Sequence, residues 1–298
     1  MAVEIISTVL VAATAAAPAG PYDLTDLATV HDELSIPTNA TDNDAFLQRA
    51  ITQASRAIKN HCNRVFQVEA IQDQCYIQQD AYPWQNPAGV YPLQLTRWPL
   101  VNATPVTFIG TTNGTTLVQG IASTAGIVEG ELIFAADGCI PPGTTVVTVT
   151  SNSIVLSAAA SSSESVSITT GIQVIQTLAA GYTQTLAYGS DYTVDAKRGW
   201  LIRLNTWTGE STRWEAEPVT VQYQAGYNPI EDDLIEATLR MVTARFRARG
   251  RDPMLVQRNQ PDAIGMERYW VGTAPGQVGT LPPEVVELVD HYRVPVTA

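Results

Sequence analysis

The feature that most constrains the fold is a long stretch without any basic side chain, which extends from Trp98 to Ala196. Its central part, residues 107–180, is rich in Gly, Thr, Ser, Ala and Val. Small and β-branched residues favour strands, and Asp137-Gly138 and Pro141-Pro142-Gly143 are turn sequences. We predict short strands at 131–134, 145–150, 154–156 and 166–168. The pattern indicates a small all-β module at 107–180.

Helical patterns precede this module. Thr25 is a candidate cap for a short helix in which apolar residues recur at helical spacing. Thr41 and Asp44 form a capping-box-like start for a second helix. From Phe46 to Cys62 this helix carries one Ala-rich apolar face, which another helix can approach closely. We predict an N-terminal helix pair.

A further helix is predicted after the module. Asn228 is a candidate cap, Pro229 occupies the first helical position, and an apolar stripe follows in a long helix over Leu234–Arg249. Residues 252–280 have the composition of a loop or tail, and Leu281-Pro282-Pro283 opens a last short helix.

In the remaining segments apolar and polar residues alternate, as they do in strands. We predict strands at 65–68, 75–77, 91–95, 200–204 and 219–223. The predicted fold class is therefore α+β: a helical core, formed by the N-terminal helix pair and the long C-terminal helix, with a β-sheet region and an inserted small all-β domain. The core would be discontinuous, comprising residues 1–106 and 181–298, with residues 107–180 as the insert. Residues 1–22 are predicted to form an extended arm, which either pairs with a neighbouring molecule or is a simple edge strand.

Charge and cysteine content exclude several classes of protein. The formal net charge is −12, so the chain has no overall field that captures nucleic acid. Three widely spaced cysteines argue against a disulfide framework and favour folding in a reducing cytoplasm. The start lacks the basic residues of a signal peptide, and no apolar run has the length of about 20 residues that a membrane span needs.

The sequence contains no recognisable catalytic or metal-binding motif, and we expect no enzyme activity, metal or cofactor. Exposed helix faces instead supply candidate contact residues: Arg49, Arg56, Lys59, Arg240, Arg247 and Arg251. These cations could bind carboxylates of a neighbouring subunit or DNA phosphates, or form a plain solvated face. We favour the intersubunit interpretation because the chain is acidic and each copy therefore offers carboxylates to a neighbour.

Apolar groups in the C-terminal segment are candidate docking residues. They are Met254, Leu255, Val256, Tyr269 and Trp270. Gly and Pro separate them from the predicted helix, and an exposed apolar segment of this kind often becomes buried when it binds a partner. The alternative is that the segment folds back on its own core.

The order of these pieces resembles that of phage head–tail adaptor (connector) proteins. The matching segments are Leu24-Thr25-Asp26-Leu27, Ser35-Ile36, Asp44-x-Phe46-Leu47, Ala54-x-x-x-Ile58, Pro99-Leu100-Val101, Tyr192-Thr193-Val194-Asp195, Val221-x-Tyr223-x-Ala225-Gly226-Tyr227, Leu234–Arg249, and Leu281-Pro282-Pro283-Glu284-Val285 to Tyr292-Arg293. They cover roughly residues 22–106 and 184–294. No single motif is specific, and the order carries the resemblance. The module at 107–180 departs from the compact family pattern, and its Gly138–Val146 stretch resembles a β-repeat of phage structural proteins.

The resemblance implies a structural virion protein in the head–tail neck, assembled in the host cytoplasm. It implies a homo-oligomeric ring, a dodecamer in the family pattern, that docks on the portal protein and receives a stopper or tail-completion protein. Double-stranded DNA would pass through the channel without specific binding. The alternative is a binding module on a phage tail or surface, whose β-insert contacts carbohydrate or protein.

Overall fold

The computed structural model describes residues 3–13, 20–37, 39–77, 92–178, 181–214, 218–249, 257–259, 266–268 and 281–294. The chain divides into two compact units. One, the sheet unit, comprises Met1–Ala13 and Val68–Tyr227; the other, the helical unit, comprises Thr14–Gln67 and Asn228–Ala298.

The described strands and helices follow one another in this order: β1 (Glu4–Val11), α1 (Leu27–Glu33), α2 (Asp44–Cys62), β2 (Glu69–Tyr76), β3 (Pro92–Gln94), β4 (Leu100–Val101), β5 (Thr107–Thr112), β6 (Leu117–Gln119), β7 (Ile133–Ala135), β8 (Val146–Val149), β9 (Ile154–Leu156), β10 (Ser165–Thr170), β11 (Gln173–Thr177), β12 (Thr183–Thr185), β13 (Tyr192–Asp195), β14 (Trp200–Arg203), β15 (Val219–Ala225), α3 (Asp232–Arg247), β16 (Gln257–Asn259), β17 (Met266–Arg268) and α4 (Pro283–Val289). A 3₁₀ turn, Asp290–Tyr292, follows α4.

The core sheet of the sheet unit has the strand order β1-β2-β15-β11-β12, and β4 pairs with the end of β15. Its buried face carries an apolar core that includes Ile71, Val174, Val221 and Tyr223. Buried residues of the small sheet β13-β14-β3 complete this core, among them Leu201. The alternation of apolar and polar residues along β15, Val219-Thr220-Val221-Gln222-Tyr223, is typical of a strand and places the apolar residues on the face of the core.

Residues of the 107–170 region form a second six-stranded sheet, ordered β7-β10-β5-β6-β9-β8. It has an apolar cluster of its own, which includes Val118, Ile133, Ile154 and Ile168. The next strand, β11, pairs with β15 in the core sheet. The turn between the two sheets passes through Gly171, whose φ of +87° favours glycine.

A buried carboxylate network fixes one loop to the core sheet. Asp73, in the middle of β2, is fully buried. It accepts hydrogen bonds from the Tyr223 hydroxyl at 2.7 Å and from the Thr96 backbone N–H at 2.8 Å. The Thr96 hydroxyl donates to the same carboxylate at 2.8 Å. Burial is the main cause that raises the pKa of Tyr223, and the negative charge of Asp73 adds to it. The phenol therefore keeps its proton and donates to Asp73.

A second buried acid lies where the two six-stranded sheets meet. Glu131 is 2% exposed, and its carboxylate accepts a hydrogen bond from the Val128 N–H at 3.1 Å. Burial raises the pKa of Glu131, although the Val128 hydrogen bond opposes the shift. Next to it, Gln224 of β15 donates to the Gly130 carbonyl oxygen at 2.9 Å. The acid is therefore held in place, but its charged form is poorly solvated.

The Glu131 carboxyl gives a pH-dependent prediction. Its folded-state pKa lies above the ordinary value of 4.5, so its contribution to stability is present below that pH and is lost as pH rises through the folded pKa. We expect Glu131→Gln to raise the free energy of unfolding at neutral pH by about 1 kcal/mol and to flatten this part of the pH profile. Urea unfolding at several pH values measures it. Glu129→Gln, at an exposed neighbour, is the control; equal effects of both substitutions would contradict the prediction.

The helical unit is built on α2, whose apolar face is fully buried at Leu47, Ile51, Ala54 and Ile58. Helices α1, α3 and α4 belong to the same unit. Phe66 packs edge-on against Tyr292 with ring centroids 5.8 Å apart, and the Val294 N–H donates to the carbonyl oxygen at the end of α2.

The predicted fold class is wrong, because the chain is mainly β rather than a helical core with a long C-terminal helix. The described residues contain seventeen strands in four sheets and four α-helices. The longest helix is α2 with 19 residues, whereas α3 has 16. Most of β2 was missed because buried Asp73 and Glu69 interrupt the apolar alternation that marks a strand. The assignment of 107–180 as an inserted domain stays a prediction.

Several predicted boundaries also differ. Asp26, and not Thr25, caps α1, because its carboxylate accepts the Thr29 N–H. Residues 65–68 are not a strand. Helix α3 begins after Glu231 instead of Asn228, and β16 pairs with β17 in the segment predicted as a loop. Among the described helices, none combines the length and the apolar character needed to cross a bilayer.

Candidate functional site: a basic seam in the helical unit

The candidate site lies where the end of α3 meets the start of α2. Phe246 and Phe46 face each other there, with ring centroids 6.4 Å apart. Further along α2, the apolar stripe of α3 continues through buried Val242 and Thr238. Both helices carry an apolar face at 3.6-residue spacing, so burying these two faces against each other places their polar flanks side by side.

Two arginines reach across this contact, Arg245 in the last turn of α3 and Arg249 just after its end. The Arg245 guanidinium donates to the Gln53 side-chain oxygen at 2.6 Å. The Arg249 guanidinium donates to the Asn43 side-chain oxygen and lies 5.0 Å from the centre of the Phe46 ring. Both side chains are exposed, so they connect the helices at the surface and not inside the core.

Two arginines of α2 flank the same place. Arg49 lies four residues before Gln53, and Arg56 lies three residues after it, so all three project from one side of the helix. Both arginines are exposed, and the Arg49 Nε–H donates to the Ala45 carbonyl oxygen at 3.2 Å. We call the group of Arg49, Arg56, Arg245 and Arg249 the basic seam.

The seam is positive in an otherwise acidic chain. The one acid within α2, Asp44, lies with its carboxylate oxygen 2.9 Å from Nε2 of His31. The acids of α3 lie in its first half, and no seam residue forms an ion pair in the part of the chain that the structure describes. The seam can therefore bind carboxylates or phosphates supplied by another molecule, and guanidinium groups suit both through paired N–H donors.

The predicted contact cations are only partly brought together. Arg49 and Arg56 share the seam. Lys59 lies with its ammonium 4.5 Å from the centre of the Tyr22 ring. Arg240 donates to the Glu236 carboxylate at 2.7 Å, and this hydrogen bond raises the pKa of Arg240. Arg247 is exposed on α3, whereas Arg251 lies outside the described residues.

The predicted docking residues Met254, Leu255, Val256, Tyr269 and Trp270 also lie outside the described residues. Their role stays a prediction.

Sequence reasoning missed Arg245 and Arg249. Both continue the spacing of the buried stripe of α3, since Arg245 follows Thr238, and Arg249 follows Val242, by seven residues. A stripe of buried residues that continues as arginine in the last turn of α3 and just after it was the available signal. Basic residues there are also favoured by the helix dipole.

An acidic cluster in the second six-stranded sheet is the other arrangement that the sequence did not predict. Ligand atoms of Asp137, Cys139 and Glu164 lie within 4.8 Å of one another. The Asp137 carboxylate accepts the Cys139 N–H at 3.1 Å, and the Ser162 hydroxyl donates to Glu164. Burial raises the pKa of the Cys139 thiol, which disfavours the thiolate that binds metals. These contacts explain the cluster as turn structure.

Comparisons with known proteins do not assign the chain to a family. No protein-family model matches the sequence. No curated protein matches it significantly either. Among solved structures, the chain is similar to one described as "Neck of empty GTA particle computed with C6 symmetry", with 14% identity over 98% of this chain and 97% of that chain. The TM-score is 0.36, which establishes neither a shared fold nor a shared function.

Proposed function

We propose that the chain is a structural virion protein, a head–tail adaptor that forms a ring between the portal and the tail or its stopper protein. The observation that carries the proposal is the basic seam. Each copy is acidic overall, so an exposed group of unneutralised arginines is a natural binding surface for carboxylates of the next copy. Repeated head-to-tail contact of this kind closes into a ring when the rotation between copies divides a full turn and involves no shift along the rotation axis.

The sequence resemblance to head–tail adaptors supports the same proposal and supplies the place in the particle. Portal protein on one side and a stopper or tail-completion protein on the other are the proposed partners. DNA would pass through the ring without specific binding, because acidic surfaces repel phosphates. We propose no catalytic activity for the chain.

Charge reversal of the seam tests the proposal. We expect Arg49→Glu with Arg56→Glu to weaken assembly of the chain on portal-containing heads by about tenfold or more, because two attractive contacts per interface become repulsive. The measurement is the number of chains bound per head after purification of the particles. Circular dichroism should show an unchanged fold, since both side chains are exposed.

Lys197→Glu is the matched control for this experiment. It makes the same two-unit charge change as Arg49→Glu alone, which is measured beside it, at an exposed residue of the sheet unit, and we expect normal assembly. Normal assembly of the Arg49/Arg56 variant would contradict the role given to the seam, as would an equal defect in the Lys197 variant.

A second candidate function is a tail or surface binding module, in which residues 107–180 contact carbohydrate or protein. Three exposed apolar side chains in that region favour it: Ile109, Val128 and Val147 are 67%, 52% and 50% exposed. Their replacement by Ser leaves neck assembly intact under the adaptor proposal. Loss of particle attachment to host cells, with normal neck assembly, would favour the second candidate.

A further inference from the structure

Strand β1 leaves one edge of the core sheet open. It pairs with β2 on one side, in continuous register from Glu4 to Val9, and has no strand partner on its other side among the described residues. Near its end, the Pro141–Thr144 turn covers it: a side chain at Gly143 would lie 3.3 Å from the Leu10 Cβ atom. The open edge is therefore the regular part, residues 4–9.

This edge lacks the usual protection against pairing with another strand. Natural edge strands are short, or carry lysine, proline or inward-pointing charges that prevent such pairing. Strand β1 has eight residues, contains no Lys, Arg or Pro, and has one charge, Glu4, at its first position. Ile6 and Val9 are 50% and 45% exposed on it. A strand of this composition is a template for another strand.

The opposite edge of the same sheet is open as well. Strand β12 pairs with β11 alone among the described residues, and its three side chains, Thr-Gln-Thr, are exposed and uncharged. Every neighbouring pair along the sheet is antiparallel, so β1 and β12, four places apart, run in the same direction. A rotation about an axis along the strands therefore sets β1 of one copy beside β12 of the next as a parallel pair.

The two open edges run in the same direction, which favours a second copy of this chain as the occupant. Each copy carries −12, so a contact between copies is least opposed where the surfaces that meet carry no charge. Residues 5–11 and 173–185 contain no charged side chain. We propose that β1 of one copy adds to β12 of the next and continues the core sheet from subunit to subunit. This deepens the proposed ring, on which it rests, by naming a contact within it.

Sedimentation velocity of the purified full-length chain over a wide concentration range tests the proposal. The wild-type chain should self-associate reversibly as concentration rises. Ile6→Lys with Val9→Lys should weaken association by about tenfold or more, because lysines on an edge oppose strand pairing. Ile109→Lys with Val147→Lys, at similarly exposed apolar residues of the other six-stranded sheet, is the control and should associate as the wild type does.

Cross-linking identifies the edges that meet. Thr8 and Thr185 lie on the same face of the core sheet. Strand pairing sets Ile6, Gln74, Thr220, Ile175 and Thr185 in one row on that face, and Thr8, two residues after Ile6, lies on it as well. The three native cysteines are buried. A short bismaleimide should give a ladder of oligomers with Thr8→Cys plus Thr185→Cys together, and no ladder with either substitution alone.

Three outcomes would overturn the proposal: a wild-type monomer at every concentration, association that the edge lysines leave unchanged, or dimers from Thr8→Cys alone, which show β1 pairing with β1. None of them bears on the position of the chain in a particle. Association in solution by a chain that is absent from the neck would leave this inference standing and remove the proposed function.

Discussion

Replacing Asp73 with Ala is expected to lower the free energy of unfolding by about 3 kcal/mol. The carboxylate is fully buried and accepts hydrogen bonds from Tyr223 and from the backbone and side chain of Thr96. Its removal takes this acceptor from the buried Tyr223 hydroxyl and from the Thr96 N–H, which costs more than the hydrogen bonds contribute. Urea unfolding monitored by circular dichroism measures the change.

Tyr223→Phe is the companion variant in that experiment. It removes one donor and leaves Asp73 bound to Thr96, so we expect a smaller loss of about 1 kcal/mol. Gln74→Ala, on the other face of the same strand, controls for loss of strand propensity. A loss in Asp73→Ala no larger than that in Gln74→Ala would show that the network does not anchor the loop.

Gly171→Ala is the second substitution with a large expected effect, about 3 kcal/mol or more. Gly171 has φ +87°, and an added Cβ atom would lie 2.5 Å from the carbonyl oxygen of Asn102. The Asn102 carbonyl group is backbone and cannot move away as the end of a flexible side chain can. The turn between β10 and β11 must therefore shift. Because this turn joins the two six-stranded sheets, the shift also strains the Gly171–Leu132 hydrogen bond.

Gly138→Ala separates the cost of the positive φ from the cost of the close contact with Asn102. Gly138 has a similar φ of +79°, but an added Cβ atom there would meet nothing within 4 Å. It should cost only the left-handed conformation, about 1 kcal/mol. Thermal unfolding of the two variants compares them directly. Equal losses would mean that the close approach to Asn102 is relieved without cost.

The parts of the fold that could be predicted are those in which burial follows a simple period. The apolar face of α2 repeats every 3.6 residues and is buried as predicted from Leu47 to Ile58. Strand β9 coincides with the predicted 154–156. The start of α3 was misplaced, because the helical hydrogen bonds begin at the Glu231 carbonyl although Asn228 and Pro229 also match start signals.

The core sheet could not be predicted because its pairings are non-local. Strand β2 pairs with β1 and with β15, about 150 residues later, and no local pattern encodes such partners. Within β2, the acids that break the apolar pattern are satisfied only in the folded state, where Tyr223 and Thr96 reach Asp73.

The candidate site was predictable to the same limited degree. Arg49 and Arg56 were found because they stand on the polar face of an evident amphipathic helix. Arg245 and Arg249 were missed because their positions continue an apolar stripe, and only the packing of α3 on α2 brings them beside Gln53 and Asn43. A seam formed by two helices depends on their mutual register, which the sequence of either helix does not contain.

We propose that the chain forms a ring in the head–tail neck. Cryo-electron microscopy of phage particles that carry a small tag on this chain tests it most directly. We expect a ring of tagged subunits between the portal and the tail, with the arginines of the basic seam at the contact between neighbouring subunits. Tagged density at the tail tip or on the capsid surface, or particles without the chain, would contradict it.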